Sequence, residues 1–308
     1  MSILEVAGKA NNGNILADAG LNWSVELSNC LHAPCPSTEG YTTDKRATVR
    51  TDNGRVLGIV GENYQIVQNE ELVYMAETIT KNSAMQISTA GELNGGGRVW
   101  LAVKAESFDV TNGDQIDPYL LLTNGHDGLH ALGATPTSVR VICENTLNMA
   151  ISRGRKAGFF ISIRHKGNMQ SKIESLMDTL GEFYIRSVEF SNSAKELSYT
   201  AMRSDEVSRY FSNVYDALVK KVDDSSDDRS KTKKQSTLLK WYTVFDAEAT
   251  QFGSNAWTAM NAVTNWLDHG VSYRGENKTE NRFSSNIFGT SAEKKHELLR
   301  RTVSGQFI

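Results

Sequence analysis

The chain has 308 residues, 39% of them hydrophobic and 22% charged, with a formal net charge of −3. At roughly 100–200 residues per domain this is one large domain or two ordinary ones, and the near-neutral balance excludes a globally basic nucleic-acid binder, so any polyanion site must be a local patch. Four prolines exclude a long Pro-rich tract; the irregularly spaced Cys30, Cys35 and Cys143 argue against a disulfide framework and fit a reducing cytoplasm; and neither a signal-like leader nor an apolar run of membrane-spanning length is visible.

Residues 1–40 are polar and rich in Asn and Gly, which predicts an extended arm or a loosely packed lead-in. From Lys45 the pattern changes. Asn53-Gly54 between Val49 and Val56 predicts a tight hairpin with strands near 45–51 and 55–60. Asn69 is a candidate N-cap, Glu70 and Glu71 suit the positive end of a helix dipole, and Leu72, Met75, Ala76 and Ile79 recur at helical spacing, ending near residues 81–82. Strands follow at 85–89 and 99–103, joined through GELNGGG at 91–97. That glycine-rich turn lacks the Gly-Lys-Ser/Thr and the following helix of a P-loop. Another hairpin turns at 111–114, and Asn124-Gly125-His126-Asp127-Gly128 is a further sharp turn.

The segment 136–180 is locally basic, with Arg140, Arg153, Arg155, Lys156, Arg164, Lys166 and Lys172 against Glu144, Glu174 and Asp178. It reads as a β-branched run at 139–142, a helical stretch at 145–151, a basic turn, a strand at 159–163, and an amphipathic helix after Arg164-His165-Lys166. Beyond it the periodicity is helical. Ser204-Asp205-Glu206 starts one helix, and residues 222–235 (VDDSSDDRSKTKKQ) read as a solvated linker. Helices resume at Leu238 and at Trp257, the latter ending at Asp268-His269-Gly270 with the glycine as C-cap; Thr290 or Ser291 caps the last. The expected fold is α+β: an N-terminal arm (1–40), a mostly antiparallel sheet with packed helices (41–185), and a helical region (186–308).

The stretches LGIVGENYQIVQNEEL (57–72), AGELNGGGRVW (90–100), VRVICENTLNMA (139–150), IRHKG (163–167), WTAMNAVTNWLDHG and NRFSSNIFGT (within 257–290) together resemble the phage/plasmid-like protein family of unknown function, in order over roughly 41–300. The resemblance implies a source in a phage, prophage or plasmid, and it carries over no catalytic residues. The order of helix, antiparallel strands and helix is also similar to the core of the single-strand annealing recombinases, an analogy of pattern only.

No motif names a reaction, and no catalytic, metal or cofactor site is assigned. His126, Asp127 and His130 lie close in sequence, but no HExxH spacing or carboxylate cluster accompanies them, so surface turn residues are the simpler reading. Cys143 reads as an inert core thiol, and His165 between two cations is expected to have a depressed pKa. The candidate nucleic-acid contacts are Arg98, Arg140, Arg153, Arg155, Lys156, Arg164, His165 and Lys166. Arg46, Arg50, Arg55 and Lys104 would extend the groove, with Tyr64, Trp100 and Tyr119 as stacking platforms. The expectation is a non-enzymatic protein of the host-cell cytoplasm that binds single-stranded DNA in recombination or replication, with homo-oligomer formation open and no membrane partner. The alternative is a protein-interaction module, such as an inhibitor of a host defence factor, using the acidic linker and the helical part.

Overall fold

The computed structural model describes residues 15–36, 39–81, 83–111, 113–140, 145–148, 161–179, 182–273 and 278–308. The protein is α+β, with antiparallel strands through residue 163 and helices from residue 169 onward, apart from α1 and α2 near the start. Its chain divides into two compact units, one of Met1–Glu106, Tyr119–Thr135 and Phe159–Glu182, the other of Ser107–Pro118, Pro136–Gly158 and Phe183–Ile308.

In the first unit, α1 (Ile15–Asp18) precedes β1 (Val25–Ala33), which pairs with β2 (Tyr41–Arg50). The described part of the segment expected to be a loose arm is therefore structured. Leu21, Trp23 and Val25 are buried, and that apolar burial holds it. β2 turns into β3 (Val56–Gly61) as the Asn-Gly signal predicts, with Gly54 supplying the positive φ, 71°. α2 (Asn69–Thr80) forms where its apolar periodicity places it, but Asn69 does not cap it. Gln68 holds the cap position, and the Asn69 amide is buried, donating to the carbonyls of Leu21 and Trp23 at 2.9 and 3.0 Å.

β4 (Gln86–Leu93) and β5 (Arg98–Lys104) form a second antiparallel pair around a turn confined to residues 94–97. β5 is buried from Arg98 through Val103, so both its faces are covered, and α2 packs against it. After β6 (Phe108–Asp109), β7 (Gln115–Gly125), β8 (Leu132–Arg140), β9 (Asn145–Asn148) and β10 (Ile161–Ile163) follow in the chain. The ladder in this unit runs β10-β8-β7-β5-β4. α3 (Met169–Thr179) closes the unit's chain and contacts α2.

In the second unit, β6 pairs with the start of β7, and β9 pairs with the end of β8. Residues 145–148 are thus strand, not the first turn of the expected helix. Asn145, Thr146 and Asn148 are poor helix formers, and the ladder to Thr137–Arg140 satisfies their backbone. The rest is α4 (Glu182–Tyr199), α5 (Ser204–Leu218), α6 (Asp228–Phe252), α7 (Ala256–Asn265), α8 (Lys278–Phe288) and α9 (Thr290–Val303). The expected linker is mostly absent. Asp227 caps α6 by accepting from the Ser230 amide at 2.7 Å, and Lys234 pairs with Asp216 at 2.7 Å. Only residues 222–227 remain irregular.

Phe211 and Trp241 meet edge-on at 5.6 Å, with Tyr215 and Phe245 against the same pair, which makes an aromatic core for this unit. α7 runs into a π-type turn at Trp266–Gly270. Gly270 is not a left-handed cap: a Cβ there would lie 2.5 Å from Trp266 Cδ1, so the glycine is needed for room. The residue preceding α9 is Gly289, not Thr290 or Ser291, whose positions fall inside the helix.

Candidate functional site

The site lies in the first unit, where β7 ends at Gly125 and β8 begins at Leu132. The connecting turn is built on Asp127. Its Oδ1 accepts from the amides of Leu129 and His130 at 2.9 and 3.0 Å, and its Oδ2 meets His130 Nδ1 at 2.6 Å. This is a side-chain-closed turn of the kind Asp favours. Gly58 of β3 lies directly against it, since a Cβ there would fall 2.2 Å from the Asp127 carbonyl oxygen.

β10 leads into Arg164-His165-Lys166, and the Lys166 amide donates to the Arg164 carbonyl at 2.8 Å, bending the chain around His165. Two bonds pin that residue. The Gln65 amide donates to its carbonyl at 3.0 Å, and His165 Nδ1 donates to the Gln65 carbonyl at 2.9 Å. A carbonyl only accepts, so Nδ1 carries the proton and Nε2 holds a lone pair. That Nε2 is buried without a hydrogen-bond partner. The Tyr64 ring stacks on the imidazole, 5.0 Å between centroids and 6° between planes, and its hydroxyl donates to the Gly125 carbonyl at 2.8 Å.

These pieces enclose a cleft of about 410 Å³, walled by Tyr64, the turn from Gly128 to Ala131, Ser162, and Arg164 to Lys166. Arg164 and Lys166 are exposed at it, and neither is held by a carboxylate among the described residues. Behind the cleft, His126 Nε2 meets Asn69 Oδ1 at 3.0 Å. Burial, with a smaller contribution from the nearby His165, pushes the His126 imidazole down to about 3. Burial also lowers His165, against the bond to Gln65 and the attraction of Asp127. The depression expected for His165 therefore comes from desolvation and not from its flanking cations. Burial raises Asp127, opposed chiefly by the Leu129 amide and then by Arg98.

Of the residues singled out in the sequence, Arg164, His165 and Lys166 come together here with Tyr64. Arg98 does not stand at the surface. It is 5% exposed, and burial lowers it to about 10 despite the opposing Asp127 carboxylate, so it is no phosphate contact. Arg140 ends β8 in the second unit, where its backbone pairs with Asn145, and its side chain lies outside the described residues. Arg153, Arg155, Lys156 and Cys143 lie outside the described residues altogether. Arg50 is committed to Asp52 and Glu92 at 2.8 Å each and lies 4.1 Å over the Trp23 ring. Trp100 and Tyr119 are buried and offer no platform. The Asp127–His130 pair was missed as a site feature because its sequence reads as a surface turn. The only local signal is an Asp that can close the turn onto a residue three positions on.

Among the described residues, no three His, Cys, Asp or Glu side chains are placed to share a metal ion, and no helix is long and apolar enough to cross a membrane. The class defined so far is an α+β protein with a basic-lipped, aromatic-floored cleft at the end of an antiparallel ladder. The model of a domain of unknown function, DUF932, matches residues 56–287, most of the chain, and the protein belongs to that family. The match takes in every segment that lines the cleft. No curated protein and no solved structure matches the chain.

Proposed function

We propose that the protein binds single-stranded DNA for a phage or plasmid, in recombination or replication, by holding or annealing strands without making or breaking bonds. The observation that carries this reading is the pairing of two exposed cations, Arg164 and Lys166, held by no carboxylate among the described residues, with the fixed Tyr64–His165 stack in one cleft. Cations supply the sequence-independent attraction to phosphate, and a rigid aromatic supplies a surface for an unpaired base. The mobile-element source rests on the sequence resemblance.

The test is the double variant Arg164→Ala/Lys166→Ala, titrated with single-stranded DNA across a range of salt. Each neutralised phosphate contributes about 0.7 to the log–log slope of affinity against salt, so the variant's slope should be shallower by about 0.7 where the two cations share one phosphate and by about 1.4 where each holds its own. Folding stability should change by no more than about 0.5 kcal/mol, since both side chains are exposed. A wild type without salt-sensitive binding, or an unchanged slope in the variant, overturns the reading. The interaction module based on the helical unit would then take its place.

A further inference from the structure

We propose that the cleft is a pocket for a single nucleotide unit, its base lying against Tyr64 and its phosphate held by Arg164 and Lys166. This deepens the single-strand reading: one nucleotide of the strand leaves the stack of its neighbours and enters the protein.

Four features separate such a pocket from an open electrostatic groove. The first is size and shape. A cleft of about 410 Å³ falls within the roughly 300–1,000 Å³ typical of small-ligand pockets. The second is convergence. A groove that follows a backbone spreads its cations along the strand, whereas Arg164 and Lys166 stand two residues apart on one bend and line the same cavity. Together they suit one phosphate better than a succession of them.

The third feature is preorganisation. The Tyr64 hydroxyl is tied to the Gly125 carbonyl, one face of its ring is covered by His165, and the half-buried remainder lines the cleft. The wall formed by the Gly128–Ala131 turn is held by the Asp127 carboxylate through two backbone amides and His130. Leu129 projects from that turn 85% exposed, an apolar lip on a fixed frame. Little ordering remains to be done when a flat ring enters.

The fourth is an unpaired acceptor. His165 is 4% exposed and lines the cleft, and its Nε2 lone pair has no donor. A buried acceptor without a donor is costly, and since this one is sealed from solvent, a ring N–H or amino group removes that cost where the cleft lining gives way to admit it. Ser162 and His130 offer further polar groups at the wall for the edge of a base or for a sugar hydroxyl.

The experiment uses the full chain in EDTA with the four deoxynucleoside 5′-monophosphates, the free nucleosides, inorganic phosphate and an oligo-dT strand. Calorimetry reads affinity, and saturation-transfer NMR reads which ligand protons touch the protein. The expected result is that at least one monophosphate binds more tightly than its nucleoside or phosphate alone. Its base protons should receive the strongest saturation, and the strand should displace it. Arg164→Ala should weaken it by about tenfold, as for loss of one charge-assisted hydrogen bond. If the strand binds while no monophosphate does, or if phosphate alone binds as well as the nucleotides, the pocket is wrong and the single-strand reading stands without it. If a monophosphate binds and the strand does not, the pocket stands and the single-strand reading falls. If nothing binds, both fall.

Discussion

Acid should destabilise the first unit through His126, and the geometry fixes the sign. The Asn69 amide nitrogen donates to Leu21 and Trp23, so its oxygen faces His126 and must accept from Nε2. Nδ1 is therefore the lone-pair atom, and it is buried with no partner. Protonating it would create a buried cation with an unsatisfied N–H, which is why burial pushes the group from an ordinary 6.5 down to about 3. The unfolded chain takes up this proton below about 6.5, whereas the folded chain takes it up only near 3. Stability is thus fully present above the unfolded value and falls as pH drops through the window, by about 1.4 kcal/mol per pH unit for one proton. By pH 4.5 the loss is roughly 3 kcal/mol, a large part of a typical folding free energy. His165, lowered by burial as well, acts in the same direction. Denaturant unfolding between neutral pH and pH 4 measures the slope. In His126→Gln the slope should flatten by about one proton's worth, although the variant starts less stable for loss of the edge contact with Trp23. An imidazole NMR signal of His126 titrating near the ordinary value of about 6.5 would refute the reasoning.

In the second unit, Lys295 and Asp268 pair at 2.6 Å with side chains 1% exposed each. Lys295→Met should cost about 3–5 kcal/mol by removing the cation that neutralises a buried carboxylate, and Asp268→Asn/Lys295→Met should cost less than the single change, both read by thermal unfolding. Gly58→Ala forces a methyl into the Asp127 carbonyl; it should lose about 1–3 kcal/mol in denaturant unfolding and distort the cleft enough to lower strand binding. Arg300, then Arg301, holds the Glu297 carboxyl down at about 2. The stability this contributes is present above the ordinary glutamate value of about 4.3 and is lost as pH falls through the folded value. Glu297→Gln should therefore show a flatter acid limb than wild type in the same unfolding series.

What the sequence made legible is what local chemistry decides. The hairpin at Asn53-Gly54, the strand at 99–103 and the helix start at Ser204 each depend on neighbours within a few residues, and each forms as read. Residues 228–235 were misread because charge alone suggested solvation. The same order, acid first, is what a helix N-terminus favours, and Asp227 does cap α6 there. Asn69 shows the opposite error. An Asn before an amphipathic run is a good cap by propensity, but burial against α1–β1 connecting residues outweighs propensity when two carbonyls need a donor.

The cleft was only half legible, for a reason that can be read from its bonds. Tyr64 reaches Gly125 across 61 positions, His126 reaches Asn69 across 57, and His165 reaches Gln65 across 100. None of these pairs leaves a periodic trace. The local density of cations between 140 and 172 takes in Arg164 and Lys166 of the cleft, but density does not separate a committed charge from an available one. Arg98 and Arg50 are removed from the surface by burial and by carboxylates, whereas Arg164 and Lys166 stay available because the bend around His165 turns inward at the imidazole. The segments that carry the family resemblance include the sources of both halves of the cleft, Tyr64 within 57–72 and His165 within 163–167. Their meeting across a hundred positions gives a physical reason for two separate short stretches to belong to one site.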